Sequence, residues 1–130
     1  MTPQQFMDAA LWFPEAVETE PFGPGALVYK TAERMFALLS DSDEDRPARV
    51  TLKCEPSLAL ELRAEFPAVL PGYHLDKRHW NTVVLDGTVP DDELLEMLRH
   101  SYLQVVAKLR KADRERLTAL LGEDTPPLPS

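Results

Sequence analysis

The sequence predicts an α+β fold, an antiparallel sheet with helices packed on one face as a two-layer sandwich. Two observations carry this expectation. Apolar residues recur with period two in successive segments over residues 17–54, joined by short connections, as adjacent antiparallel strands require. They recur with helical period over 4–13, 56–66 and 91–111, so helices flank the strands at both ends.

Thr2 stands as N-cap and Pro3 as first helical residue of a helix reaching Phe13, with Phe6, Ala9, Ala10 and Phe13 on one face. Pro14 ends it. Val17–Phe22 reads as a strand, and Gly23-Pro24-Gly25 as a turn. Ala26–Thr31 and Arg34–Ser40 form a predicted hairpin across Ala32-Glu33, followed by a solvated acidic loop over Asp41–Pro47. Ala48–Cys54 is the cleanest strand, with Val50, Leu52 and Cys54 facing one way and Thr51 and Lys53 the other.

Pro56–Phe66 switches to helical period through Leu58, Leu62 and Phe66. Asn81–Asp86 reads as a further strand closed by Asp86-Gly87. Asp91–Lys111 reads as one long amphipathic helix, with acids at its start and Lys108, Arg110 and Lys111 at its end. A short helix is expected over Asp113–Leu121. The whole of residues 1–122 is read as one domain, and 123–130 as a disordered tail.

A chain of 130 residues with 44% apolar and 28% charged content matches ordinary globular usage and buries enough surface to need no metal or disulfide. The single cysteine, Cys54, fits a reducing compartment. The N-terminus lacks the basic and apolar regions of a signal peptide, and no apolar run approaches bilayer length, so the cytoplasm is the expected address. The formal net charge of −8 repels polyanions at long range. Residues 105–116 nevertheless carry five bases against two acids.

The chemically distinctive stretch is Pro71–Thr82, PGYHLDKRHWNT, where Tyr73, His74, Lys77, Arg78, His79, Trp80 and Asn81 crowd together. Rings interleaved with cations suit stacking on bases and contact with phosphates. They equally suit a brace in which Lys77 or Arg78 lies over an aromatic face. Lys53 projects from the non-core face of its strand, and convergence with Lys30 and the bases at 77–79 would build a positive surface.

Other chemistry is excluded on pattern. His74, His79, Asp76 and Cys54 match no metal-ligand spacing, so neither metal nor cofactor is expected. A thiol on an apolar strand face is inert packing, and Ser40, Ser42, Ser57 and Ser101 have no elbow or triad context. The acid pairs read as a loop and a helix start, and there is no glycine-rich phosphate loop. The chain is expected to be non-enzymatic.

These residues carry a resemblance. Glu20-Pro21-Phe22-Gly23, Val28-Tyr29-Lys30, Met35-Phe36-Ala37-Leu38, Leu52-Lys53-Cys54-Glu55-Pro56, Pro71-Gly72-Tyr73-His74, Lys77–Val83, Leu85-Asp86-Gly87, Asp92-Glu93-Leu94 and Ser101-Tyr102 run in order across roughly residues 6–110. With them the chain resembles the MmcQ/YjbR family of small bacterial proteins. The resemblance implies a frataxin-like sandwich with a double-wing arrangement of hairpins, and a DNA-binding role. It carries over Lys53, His74, Lys77, Arg78, His79, Trp80 and Asn81 as candidate contacts, to which the strand pattern adds Lys30. Frataxin-type iron binding is not expected, because the first helix offers only Asp8, with Glu15 just beyond. The alternative reading is a protein-interaction or small-ligand module without a nucleic-acid role, suggested by the acidic total and the lack of an extended basic stripe.

Overall fold

The computed structural model describes residues 1–73 and 75–130; His74 lies outside them. Helix α1 (Pro3–Trp12) begins in a reciprocal cap: the Thr2 hydroxyl accepts from the Gln5 N–H at 3.1 Å and the Gln5 amide oxygen accepts from the Thr2 N–H at 2.9 Å. Six antiparallel strands follow: β1 (Val17–Thr19), β2 (Ala26–Thr31), β3 (Arg34–Ser40), β4 (Arg49–Lys53), β5 (Val69–Pro71) and β6 (Trp80–Val84), in spatial order β1-β2-β3-β4-β6-β5. Helix α2 (Pro56–Glu65) lies between β4 and β5 in sequence, and α3 (Asp91–Val106) and α4 (Lys111–Leu121) follow β6.

The β2–β3 hairpin turns at the predicted pair, Ala32 (φ 47°) and Glu33 (φ 66°), the left-handed pair that matches strand twist in two-residue hairpins. Tyr29 pairs with Ala37 but Lys30 with Met35, so Phe36 is an extra residue in β3. That bulge lets Phe36 join the core beside Ala37. Its ring meets Phe13 edge-on at 5.9 Å and Tyr102 at 5.2 Å, and all three are buried. The Ser101 hydroxyl on α3 donates to the Phe36 carbonyl and accepts from the Lys53 N–H at 2.7 Å, binding the helix to two strands at the bulge.

The helices cover one face. Phe6, Ala9 and Ala10 of α1, Phe13 just past its end, and Leu94, Leu98, Tyr102 and Val105 of α3 pack on Tyr29, Leu39, Val50, Leu52 and Val83, and Leu117 and Leu121 bury α4 against the same core. The α+β sandwich is therefore as expected. Among the described residues no helix is long and apolar enough to cross a membrane.

Three local expectations are corrected. β1 stops at Thr19, short of Phe22. β5 is a strand that the pattern did not reveal: three residues ending in proline show no period, and only pairing with β6 identifies them. The long last helix is two. α3 ends at Val106, tight turns from Lys108 to Val105 and Leu109 to Val106 reverse the chain, and α4 starts at Lys111. The break allows Leu109 and Leu117 to be buried together with α3, and it removes Lys108, Arg110 and Lys111 from its last turn. Beyond α4, Arg99 donates to the carbonyls of Gly122 (2.7 Å) and Asp124 (3.1 Å), and Pro126 is buried.

Candidate functional site

Strand alternation assigns the uncovered face of the sheet. Val50 pairs with Val83 and Leu52 with Asn81 on the helix side, so Arg49, Thr51 and Lys53 of β4 and Trp80, Thr82 and Val84 of β6 lie on the other. Met35 and its partner Lys30 share that face across β3 and β2. The charged strand residues on this face are Lys30, Arg49 and Lys53; among the described residues none of its strand positions is a carboxylate. Asp91, Asp92, Glu93 and Glu96 lie on α3 on the helix side, while Asp41, Asp43, Glu44 and Asp45 stand in the β3–β4 loop.

Lys53 and Trp80 are direct cross-strand partners, both half-buried. Lys30 sits two strands from Lys53, roughly 10 Å away at the usual strand spacing. Lys30, Lys53 and Trp80 thus share one face, whereas of the bases at 77–79 Lys77 turns back onto the Gly72 carbonyl and His79 onto Asp76. At the centre of this face the hydroxyls of Thr51 and Thr82 lie 2.9 Å apart and are buried.

The loop joining β5 to β6 is tightly built. Gly72 N–H donates to the Trp80 carbonyl at 2.8 Å, and a Cβ at Gly72 would stand 2.7 Å from the Trp80 Cβ and 2.8 Å from its carbonyl oxygen. Glycine is required by this close approach. Tyr73 N–H then donates to the Thr82 hydroxyl at 3.1 Å, bringing the chain over the open face, where the Arg46 guanidinium lies 5.1 Å from the Tyr73 ring centroid. A groove lined by Arg46, Arg49, Leu70, Tyr73 and Val84 runs beneath.

Asp76 organises the far side of the loop. Its carboxylate accepts from the Arg78 N–H at 2.9 Å and pairs with His79 Nδ1 at 2.7 Å. The His79 hydrogen bond, then the Arg78 amide, hold its carboxyl below the usual range. Lys77 Nζ donates to the Gly72 carbonyl at 3.2 Å, closing the loop on itself. The Arg78 side chain is exposed.

Asn81 is placed differently from its expected role. It is buried on the helix side, donating to the Ala59 carbonyl at 3.3 Å and accepting from Arg63 Nε at 2.7 Å. Arg63, which no motif singled out, also donates to the carbonyls of Lys77 and Trp80. One arginine on α2 therefore anchors both the loop and the start of β6. The only available signal was a lone arginine on the helix preceding the motif, which does not distinguish a brace from a solvated side chain.

Cys54 is buried and burial pushes its thiol up to about 11, the state of an unreactive thiol. Among the described residues no cluster of three or more histidine, cysteine or acidic residues has metal-binding geometry.

A family model described as YjbR matches residues 11–104. The Escherichia coli K12 protein described as uncharacterized protein YjbR is 41% identical over 91 residues, covering 70% of this chain and 75% of its own. The E. coli O157:H7 protein YbdF, likewise described as uncharacterized, is 32% identical over 97 residues, 75% of this chain and 78% of its own. The crystal structure of Deinococcus radiodurans protein DR2400, a DUF419 domain, superposes with a TM-score of 0.81 at 42% identity, covering 89% of this chain and 87% of that one. A Pseudomonas syringae crystal structure gives 0.69 at 28% identity, over 78% and 96%.

Proposed function

The chain belongs to the YjbR family, and from that premise we propose that it is a non-enzymatic DNA-binding protein whose contact surface is the uncovered face of the sheet. The observation that carries this reading is the sign of that face: Lys30, Arg49 and Lys53 beside Trp80, with no carboxylate at the described strand positions of that face, in a chain of net charge −8. Keeping acids off the strand positions of this face leaves a patch on which a polyanion meets local attraction rather than the mean charge. Trp80 supplies an aromatic ring beside the cations, as base-stacking surfaces do. The exposed Arg78 of the loop is included as a further contact, while His79 is paired with Asp76. Lys77 and Asn81 serve as braces, since both side chains are engaged within the fold.

The test is anisotropy of labelled DNA against protein from about 50 to about 200 mM salt. Four phosphate contacts (Lys30, Arg49, Lys53, Arg78) give a log–log salt slope of about −3 to −4. Lys30→Ala or Lys53→Ala each reduces the slope by about 1. Binding with a flat salt dependence, or binding unchanged in the Lys30→Ala/Lys53→Ala double variant, overturns the proposal.

A further inference from the structure

On the opposite side of the sheet, α2 rests on β5 and β6 while α3 rests on β3 and β4. Between the two helices lies a cleft of about 250 Å³. Leu52 and Val83 form its floor, Leu58 and Leu62 its α2 wall and Met97 its α3 wall. The sequence pattern assigns Leu58 and Leu62 to the core, yet Ala59 is the one fully buried residue among those described in α2, and both leucines stay half-buried because they face the cleft. Removing this apolar lining from water is favourable, so an apolar occupant is favoured here.

The rim gives the occupant a charge. Glu93 and Glu96 border the cleft three residues apart on one face of α3, with His100 one turn further on. Among the described residues neither glutamate has an ion-pair or hydrogen-bond partner. His100 Nε2 accepts from the Glu55 N–H at 3.1 Å, and burial lowers its pKa so that the ring stays neutral. The Glu55 carboxylate is engaged with the Ser57 and Leu58 amides as the cap of α2. Lys53 also borders the cleft, but its N–H is taken by Ser101 and its strand position directs the side chain to the opposite face. The uncompensated charge at the mouth is therefore negative.

We infer that this cleft binds a small organic cation, a single ring or short alkyl chain bearing one ammonium group, with the apolar body between Leu58, Leu62 and Met97 and the ammonium held by Glu93 and Glu96. The volume lies below the roughly 300–1,000 Å³ of pockets for drug-sized ligands, which limits the ligand to that size. The site is independent of the DNA-binding reading, because it lies on the helix side and its charge repels phosphate.

The experiment is a methyl-NMR titration of the full chain with phenethylamine and, in parallel, with phenylacetate, an anion of similar size and shape. The amine is expected to shift the methyls of Leu58, Leu62, Met97 and Val83 and to bind about fivefold to tenfold more tightly than the acid. Glu93→Gln/Glu96→Gln, both at exposed positions, should abolish that preference while leaving the methyl spectrum of the free protein intact. Leu58→Trp, which fills the cleft, should abolish the amine-induced shifts. Absence of shifts at these methyls in the wild type, equal response to the two probes, or a preference that survives the double variant overturns the inference.

Discussion

The Arg63 Nε donates to the Asn81 Oδ1 at 2.7 Å across the interface between α2 and β6. The contact settles the side chain of a buried polar residue and, through the same guanidinium, the carbonyls of Lys77 and Trp80. The loop that carries the family signature is thereby fixed from behind, by a residue outside it.

Arg63→Ala should lower unfolding free energy by about 2 kcal/mol, the scale of lost hydrogen bonds from a charged donor combined with an under-satisfied buried amide. Arg63→Lys should recover little of it, because an ammonium cannot reproduce the forked donors. Urea denaturation measures both. Full stability of Arg63→Ala would show that Asn81 is satisfied without it.

Gly72→Ala should destabilise by about 1–3 kcal/mol, the range for overpacking. The new Cβ would meet the Trp80 carbonyl oxygen at 2.8 Å as well as the Trp80 Cβ, and backbone atoms cannot rotate away. The lost pairing between Gly72 and Trp80 should appear as faster hydrogen exchange of the Gly72 amide. An unchanged exchange rate would place the strain elsewhere.

Cys54 should resist thiol reagents in the native state. With its thiol pushed up to about 11 by burial, against about 8.5 for a free thiol, the thiolate fraction at pH 8 falls by a few hundredfold, since each unit is tenfold. Reaction with Ellman's reagent should be correspondingly slower before than after unfolding. The same shift ties stability to alkaline pH. The raised folded value contributes fully below the unfolded thiol value near 8.5 and is lost as pH climbs through about 11. The urea midpoint should therefore drop over that window, and Cys54→Ala should flatten the drop. Native reactivity equal to that of the unfolded chain would contradict the burial.

Much of the architecture could be read from local pattern. The β2–β3 hairpin and its turn residues, the α1 cap and the alternating faces of β4 are each encoded within a few positions by side-chain periodicity and turn chemistry. What escaped depends on partners distant in sequence. β5 exists because β6 lies beside it. The bulge at Phe36 exists because Phe13, Tyr102 and Ser101 receive it. The split between α3 and α4 follows from burying Leu109 and Leu117.

The candidate site divides along the same line. By itself the sequence determined that Lys53 faces away from the core and that rings and cations crowd into residues 71–82, because composition and strand alternation are local properties. The tertiary structure decided which of those residues are presented and which are consumed. It set Lys30 and Trp80 on the face of Lys53, turned Asn81 inward to Arg63 and Ala59, and closed Lys77 onto Gly72. The physical reason is that a polar side chain's role depends on whether the fold offers it a partner, and those partners lie on other elements of the chain.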